Sequence, residues 1–206
     1  MRILLAGLFL LLSLSVQADE YLKLYQVAGW PQQRANFTQA LEAAQLRYRD
    51  TLPPALYQTL VDSSNRRFAA QAMDQRALDG LRSNLTNPEP ALQFFKGEVG
   101  SKIVTDEIHA SRGDQLAIYS KGLPRSEAGA ERRQLISELG KALPASEVGA
   151  EVGLALASVA ADSLSEMLPG VLGADQTQGV IDSQRERLQQ QINSDLDNTL
   201  LHIYRN

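Results

Sequence analysis

The sequence predicts an all-α fold, a multi-helix bundle of amphipathic helices around an apolar central helix. Three observations predict it. Apolar residues recur at steps of three and four through most of the chain, proline and glycine interrupt it at helix-length intervals, and no stretch competes with a strand-like alternation. The order of those interruptions defines the elements.

The N-terminus comes first and stands apart. Met1-Arg2 gives a positive start, Ile3 to Val16 is an almost uninterrupted apolar run, and Val16-Gln17-Ala18 offers small or apolar residues to a peptidase. Residues 1–18 read as a signal peptide cleaved after Ala18, because a run of about fourteen residues falls short of the roughly twenty that cross a bilayer. Residues 19–206 then form a single helical domain, expected in the periplasm or outside the cell. Cysteine is absent, so neither a disulfide framework nor a lipid-attachment cysteine is available. Losing residues 1–18 removes Arg2 and no acid, which leaves 19 basic against 24 acidic side chains and a net charge near −5. A mildly acidic chain without clustered Lys and Arg excludes broad phosphate-backbone binding.

Glu20 to Ala28 suits a short helix ended by Gly29, and Trp30-Pro31 restarts the chain. Phe37, Leu41, Ala44 and Tyr48 then line one face of a helix that Leu52-Pro53-Pro54 stops, since proline lacks the helical donor and restricts its predecessor. Ala55 to Leu85 continues the pattern as one bent helix or two, with the interruption expected at Ser63-Ser64-Asn65. Asn87-Pro88-Glu89-Pro90 is a helix start, because asparagine caps and proline is tolerated in a first turn. A helix through Leu116, Ile118 and Tyr119 follows, ended by Gly122-Leu123-Pro124. Another runs from Ser126-Glu127 to Leu139, closed by Gly140 and Pro144.

An apolar helix over 146–168 differs in composition, with Glu151 its one charge between Val148 and Ala161. Small residues recur there at every fourth position, at Ala145, Gly149, Gly153, Ala157 and Ala161. Such a stripe admits close approach of another helix, and all-round apolarity places the helix centrally in a bundle or at an interface between copies. Thr177 to Tyr204 is a long amphipathic helix carrying Ile181, Leu188, Ile192, Leu196, Leu200 and Ile203. It holds no sustained heptad.

Between the prolines at 88 and 90 and the apolar helix lies Phe94-Phe95-Lys96-Gly97-Glu98-Val99-Gly100-Ser101-Lys102-Ile103. Two aromatics end one helical turn, Gly97 and Gly100 redirect the backbone, and Ile103, Val104 and Ile108 open a second apolar face. A buried helix-to-helix corner is expected, formed by Phe94, Phe95, Gly97, Gly100 and Ile103. At Leu92, Phe94, Phe95, Gly97, Val99, Gly100, Lys102 and Ile103 the chain resembles the secreted bacterial family called domain of unknown function 2059, with Lys96-Gly97-Glu98-Val99 filling the turn where proline or serine is common. The resemblance spans residues 19–122 and leaves 123–206 as a helical extension. It implies an exported helical domain and carries no catalytic assignment.

Motifs for chemistry are sparse. Asp106-Glu107-Ile108-His109 holds half of a carboxylate-and-histidine pattern known from di-metal bundles, and the other half is missing. His202 has Asn198 and Thr199 where an acid is wanted, and no His-Glu-x-x-His motif occurs. No Gly-x-Ser-x-Gly elbow or Gly-Lys-Ser/Thr phosphate loop is present. Arg66-Arg67 and Arg132-Arg133 read as solvated faces, and Asn36-Phe37-Thr38 and Asn84-Leu85-Thr86 as chance sequons. The expectation is a protein without catalysis, metal or cofactor that works by binding an envelope protein or itself, with Gly149, Gly153, Ala157 and Ala161 as the interface. The alternative is a carrier of a lipid or other apolar ligand between helices, lined by Leu92, Phe94, Phe95 and Ile103.

Overall fold

A computed structural model describes residues 19–118, 122–167 and 174–204. Among the described residues the chain forms ten helices and no strand: α1 Glu20–Val27, α2 Trp30–Tyr48, α3 Pro54–Arg67, α4 Ala70–Asn84, α5 Glu89–Lys96, α6 Glu98–Ala110, α7 Gly113–Ile118, α8 Ala130–Ala142, α9 Ala145–Met167 and α10 Ala174–Ile203. The all-α expectation holds. The leader over 1–18, Tyr119, Leu168, Pro169-Gly170 and Gly173 lie outside the described residues.

The first half is set by short polar ties between helices. Asp19 caps α1, its Oδ1 accepting from the Tyr21 and Leu22 amides at 3.1 and 3.3 Å. A hydrogen bond and ion pair from the Arg82 guanidinium hold the Asp19 carboxyl below its usual range and fasten α1 to α4. Tyr25 is buried on α1 and donates to Asp74 Oδ1 at 2.5 Å, while Arg34 Nε of α2 lies 2.5 Å from the same oxygen. One carboxylate of α4 therefore gathers α1 and α2. Between those two helices Gly29 adopts φ +74°, and a Cβ there would meet Val104 and Ile108 of α6 at 2.6 and 2.8 Å. Left-handed backbone and close approach both call for glycine at this turn.

Ala55 to Leu85 resolves into α3 and α4, with the break at Phe68-Ala69 rather than at Ser63-Ser64-Asn65. The serines stay helical because Ser64 is buried and accepts from Gln45 Nε2 of α2 at 2.5 Å, with Asn65 Oδ1 accepting from the same nitrogen at 3.0 Å. Phe68 leaves the helix to set its ring edge-on to Phe37, centroids 5.2 Å apart. Polar side chains that look like a breaker are here the contact itself.

The corner between α5 and α6 forms at Gly97, but half of it faces water. Leu92, Gly100 and Val104 are buried, Phe95 and Ile103 are half-buried, and Phe94 and Val99 are 48% and 65% exposed. Helical geometry explains the correction. Phe94 lies two residues, about 200°, around the helix from Leu92, and Val99 about 100° from Gly100. The two phenylalanine rings instead pack on each other, edge to face at 5.2 Å.

The second half is a layer in which α9 runs between α3 and α10. Ala150, Leu154, Val159 and Ser163 are buried on α9, with the Ser163 hydroxyl returned to the Val159 carbonyl at 2.7 Å. Ile136 of α8 clusters with Leu200 and Leu201 of α10. Yet α9 leaves one flank open, where Val148, Val152 and Leu156 are exposed, as are Leu135 and Leu139 on α8 and Leu143 at its end. No single helix among the described residues is long and apolar enough to cross a membrane. The bent pair α8 and α9, at 58°, meets that test by length and composition together.

Two glycines give a paired expectation. A Cβ at Gly100 would overlap the Phe94 carbonyl, whereas nothing lies within 4 Å of one at Gly80. Gly100→Ala should therefore cost about 1–3 kcal/mol in urea unfolding, and Gly80→Ala, inside α4, should gain about 0.5–1 kcal/mol.

Candidate functional site

A cleft of about 1070 Å³ opens where the two halves meet. Trp30 and Gln33 enter it from the first turn of α2, Asp106, Glu107 and His109 from the end of α6, and Leu116 from α7. Leu143, Pro144 and Val148 at the junction of α8 and α9, and Thr199, His202, Ile203 and Tyr204 at the end of α10, complete the lining. The wall is mainly apolar. Polar groups concentrate on the α6 and α10 side.

Glu107 is the centre of that polar side. Its Oε1 accepts from the Tyr204 hydroxyl at 2.7 Å and its Oε2 from Gln33 Nε2 at 3.2 Å, so one carboxylate of α6 holds α2 and α10 together. Burial first, then the hydrogen bond to Glu107 and the charges of Glu107 and Asp106, push the Tyr204 phenol well above its ordinary range. Tyr204 thus remains a neutral donor throughout physiological pH. Beside it Asp106 pairs with Lys102 at 3.1 Å, and Arg132 of α8 donates to the Tyr204 carbonyl.

The segment before α8 closes one side of the cleft and is pinned by α10. Asn198 donates to the Pro124 carbonyl at 3.1 Å and accepts from the Ser126 amide at 2.9 Å, while His202 Nε2 lies 2.6 Å from the same carbonyl. These contacts hold Leu123 at the cleft. On the other flank Asn36, the first residue of a sequon, donates to the Ile108 carbonyl at 3.0 Å and to Ser111 Oγ at 2.8 Å. That asparagine is a clasp between α2 and the end of α6.

The structure distributes the sequence-predicted residues unevenly. Phe94, Phe95, Gly97, Gly100 and Ile103 lie outside the cleft lining, so the cavity is not where the carrier alternative expected it. Gly149 and Gly153 face α10 of the same chain, where a Cβ would meet Ile192 at 2.7 Å and Leu188 at 3.1 Å. Ala157 is exposed and Ala161 half-buried. His109 and His202 both line the cleft, though no three His, Cys, Asp or Glu side chains converge as metal ligands among the described residues. Sequence reasoning missed Gln33, Glu107 and Tyr204 as a group, because 97 positions separate the last two. The signal available was a hydroxyl-bearing aromatic at the end of the last apolar stripe.

Set against family models, curated proteins and solved structures, the chain finds no match in any of the three. The geometry alone carries the functional reading.

Two expectations follow from these contacts. Tyr204→Phe should cost about 1.5–3 kcal/mol, the range for a hydrogen bond to a charged acceptor. Because the folded phenol titrates above the unfolded one near 10, its stabilisation is complete below pH 10 and fades as pH rises towards the folded value. Urea midpoints from pH 8 to 11 should fall more steeply for the wild type than for the phenylalanine variant. Gly153→Leu should destabilise the chain by about 1–3 kcal/mol through collision with Leu188, with a midpoint independent of protein concentration. A concentration-dependent midpoint would place that glycine at a contact between copies instead.

Proposed function

We propose that this is an exported, non-catalytic binding protein that takes an apolar small molecule in the cleft between its two helical halves. The observation that carries the reading is the cleft itself, whose volume matches the pockets that enclose small ligands, with an apolar wall and a few convergent polar groups. Both oxygens of Glu107 are already engaged by neighbouring side chains, which suits a positioning group better than a general base. Export rests on the leader over 1–18, and the resemblance to domain of unknown function 2059 is consistent with it.

A second reading, association with an envelope protein or another copy, is favoured by a different surface. Leu135 is 60% and Val148 58% exposed, and with Leu139, Val152 and Leu156 they form an apolar strip on α8 and α9. The small-residue stripe no longer supports this reading at Gly149 and Gly153, since α10 covers them. Sedimentation of the chain from 19 onward separates the two, because a monomer at every concentration removes self-association.

The cleft reading is tested with a neutral apolar fluorophore, N-phenylnaphthylamine, excited through Trp30. That residue is the single tryptophan and lines the cleft, so energy transfer reports occupancy directly. Saturable binding with one site per chain is expected, weakened at least tenfold by Val148→Asp. That position is exposed, so the substitution should leave the fold intact. Unsaturable binding, or full affinity in the aspartate variant, would sink the proposal.

A further inference from the structure

Among the described residues the charged groups lining the cleft are of one sign, and this deepens the binding reading on which it rests. Those lining residues include Asp106 and Glu107, two histidines, and no lysine or arginine. Lys102 offsets Asp106 from outside the lining, at 3.1 Å, and Arg132, also outside it, donates to the Tyr204 main-chain carbonyl and has no ion pair with Glu107 among the described residues. Glu107 has no such partner among the described residues, since its neighbours Gln33 and Tyr204 are neutral donors. Arg112, close by in sequence, is committed to Asp114 through two hydrogen bonds of 3.0 and 2.9 Å.

Backbone dipoles do not reverse this balance. Helices α6, α8 and α10 end at the cleft and contribute partial negative charge, whereas α2, α7 and α9 begin there and contribute partial positive charge. Three ends of each sign cancel to a first approximation. Side-chain charge beside Glu107 decides, and among the described residues it is negative. Trp30 and Tyr204 add aromatic rings to the same lining, and the face of such a ring attracts a cation.

We infer that the cleft takes a cationic amphiphile, a small molecule with an apolar body against Leu116, Leu143 and Val148 and an amine or quaternary ammonium head beside Glu107. An anionic head such as a fatty-acid carboxylate would be placed against a carboxylate with no basic side chain among the described lining residues to neutralise it. The same reasoning disfavours phosphate-headed lipids. Charge complementarity therefore selects the occupant where the apolar wall alone would not.

The experiment compares two probes of equal chain length by calorimetry on the chain from 19 onward. Decyltrimethylammonium, below its micelle concentration, should bind at one saturable site at least tenfold more tightly than decanoate. Glu107→Gln, checked for fold by circular dichroism, should reduce that preference about tenfold. If the variant does not fold, the wild type still decides, since raising salt should weaken the cationic probe and not decanoate. Equal or tighter binding of decanoate, a preference untouched by Glu107→Gln, or a preference insensitive to salt would overturn the inference while leaving an apolar cleft in place. Absence of binding by all three probes would remove the cleft reading as well.

Discussion

The Tyr204 hydroxyl on the Glu107 carboxylate ties the two halves together at the cleft, beside the broader packing of α9 on α3. It joins the end of α10 to the end of α6 at 2.7 Å across 97 residues of chain, and the cleft is the space left around it. Such a bond forms only if both helices are already placed to within a fraction of an ångström. Glycines do that placing. Gly29 and Gly100 let α6 seat against the α1–α2 turn and under α5, and Gly149 and Gly153 let the Ile192 and Leu188 side chains of α10 close onto α9. Each position exchanges a side chain for proximity, and together they fix where the two partners of one hydrogen bond arrive.

The apolar surface is divided between packing and exposure. On α9 one flank buries Ala150, Leu154 and Val159 between α3 and α10, while Val148, Val152 and Leu156 face outward. Burial of apolar area is worth about 25 cal/mol per Å², so leaving large side chains in water forgoes stabilisation that a closer packing of α8 and α9 would supply. Val148 belongs both to this strip and to the cleft wall. In the proposed reading, a ligand in the cleft would cover Val148 and recover part of that loss.

How far the sequence could be read follows from the range of each interaction. Helix periodicity and proline or glycine stops are local, so α1, α2, α5 and the long α10 were legible from their own residues. The Ser63-Ser64-Asn65 stretch was not, because its polarity is satisfied by Gln45 on another helix, and only the fold supplies that partner. The aromatic pair at 94–95 read as buried because composition cannot say which of two neighbours turns inward, whereas the 100° step per residue assigns the face to Leu92. The small-residue stripe was correctly read at Gly149 and Gly153 as a place of close helix approach. The approaching helix was left open between a bundle core and a second copy, and the structure supplies α10. The cleft itself left almost no trace, since its polar members come from α2, α6 and α10 with no common spacing.

Binding and folding are coupled in such an architecture. On its α10 side the cleft is bounded by the contacts of Tyr204 with α6 and of Asn198 and His202 with the 122–129 segment. A ligand that binds the latched state alone stabilises it by mass action, about 2.7 kcal/mol at a hundredfold excess over its dissociation constant. That is comparable with what the single Tyr204 hydrogen bond to a charged acceptor contributes, at about 1.5–3 kcal/mol. An occupied cleft would then add a constraint of similar size to the latch. The carboxylate at Glu107 would serve both, as acceptor for the latch and as the charge that the proposed ligand head meets, so latch and selectivity change together at that residue.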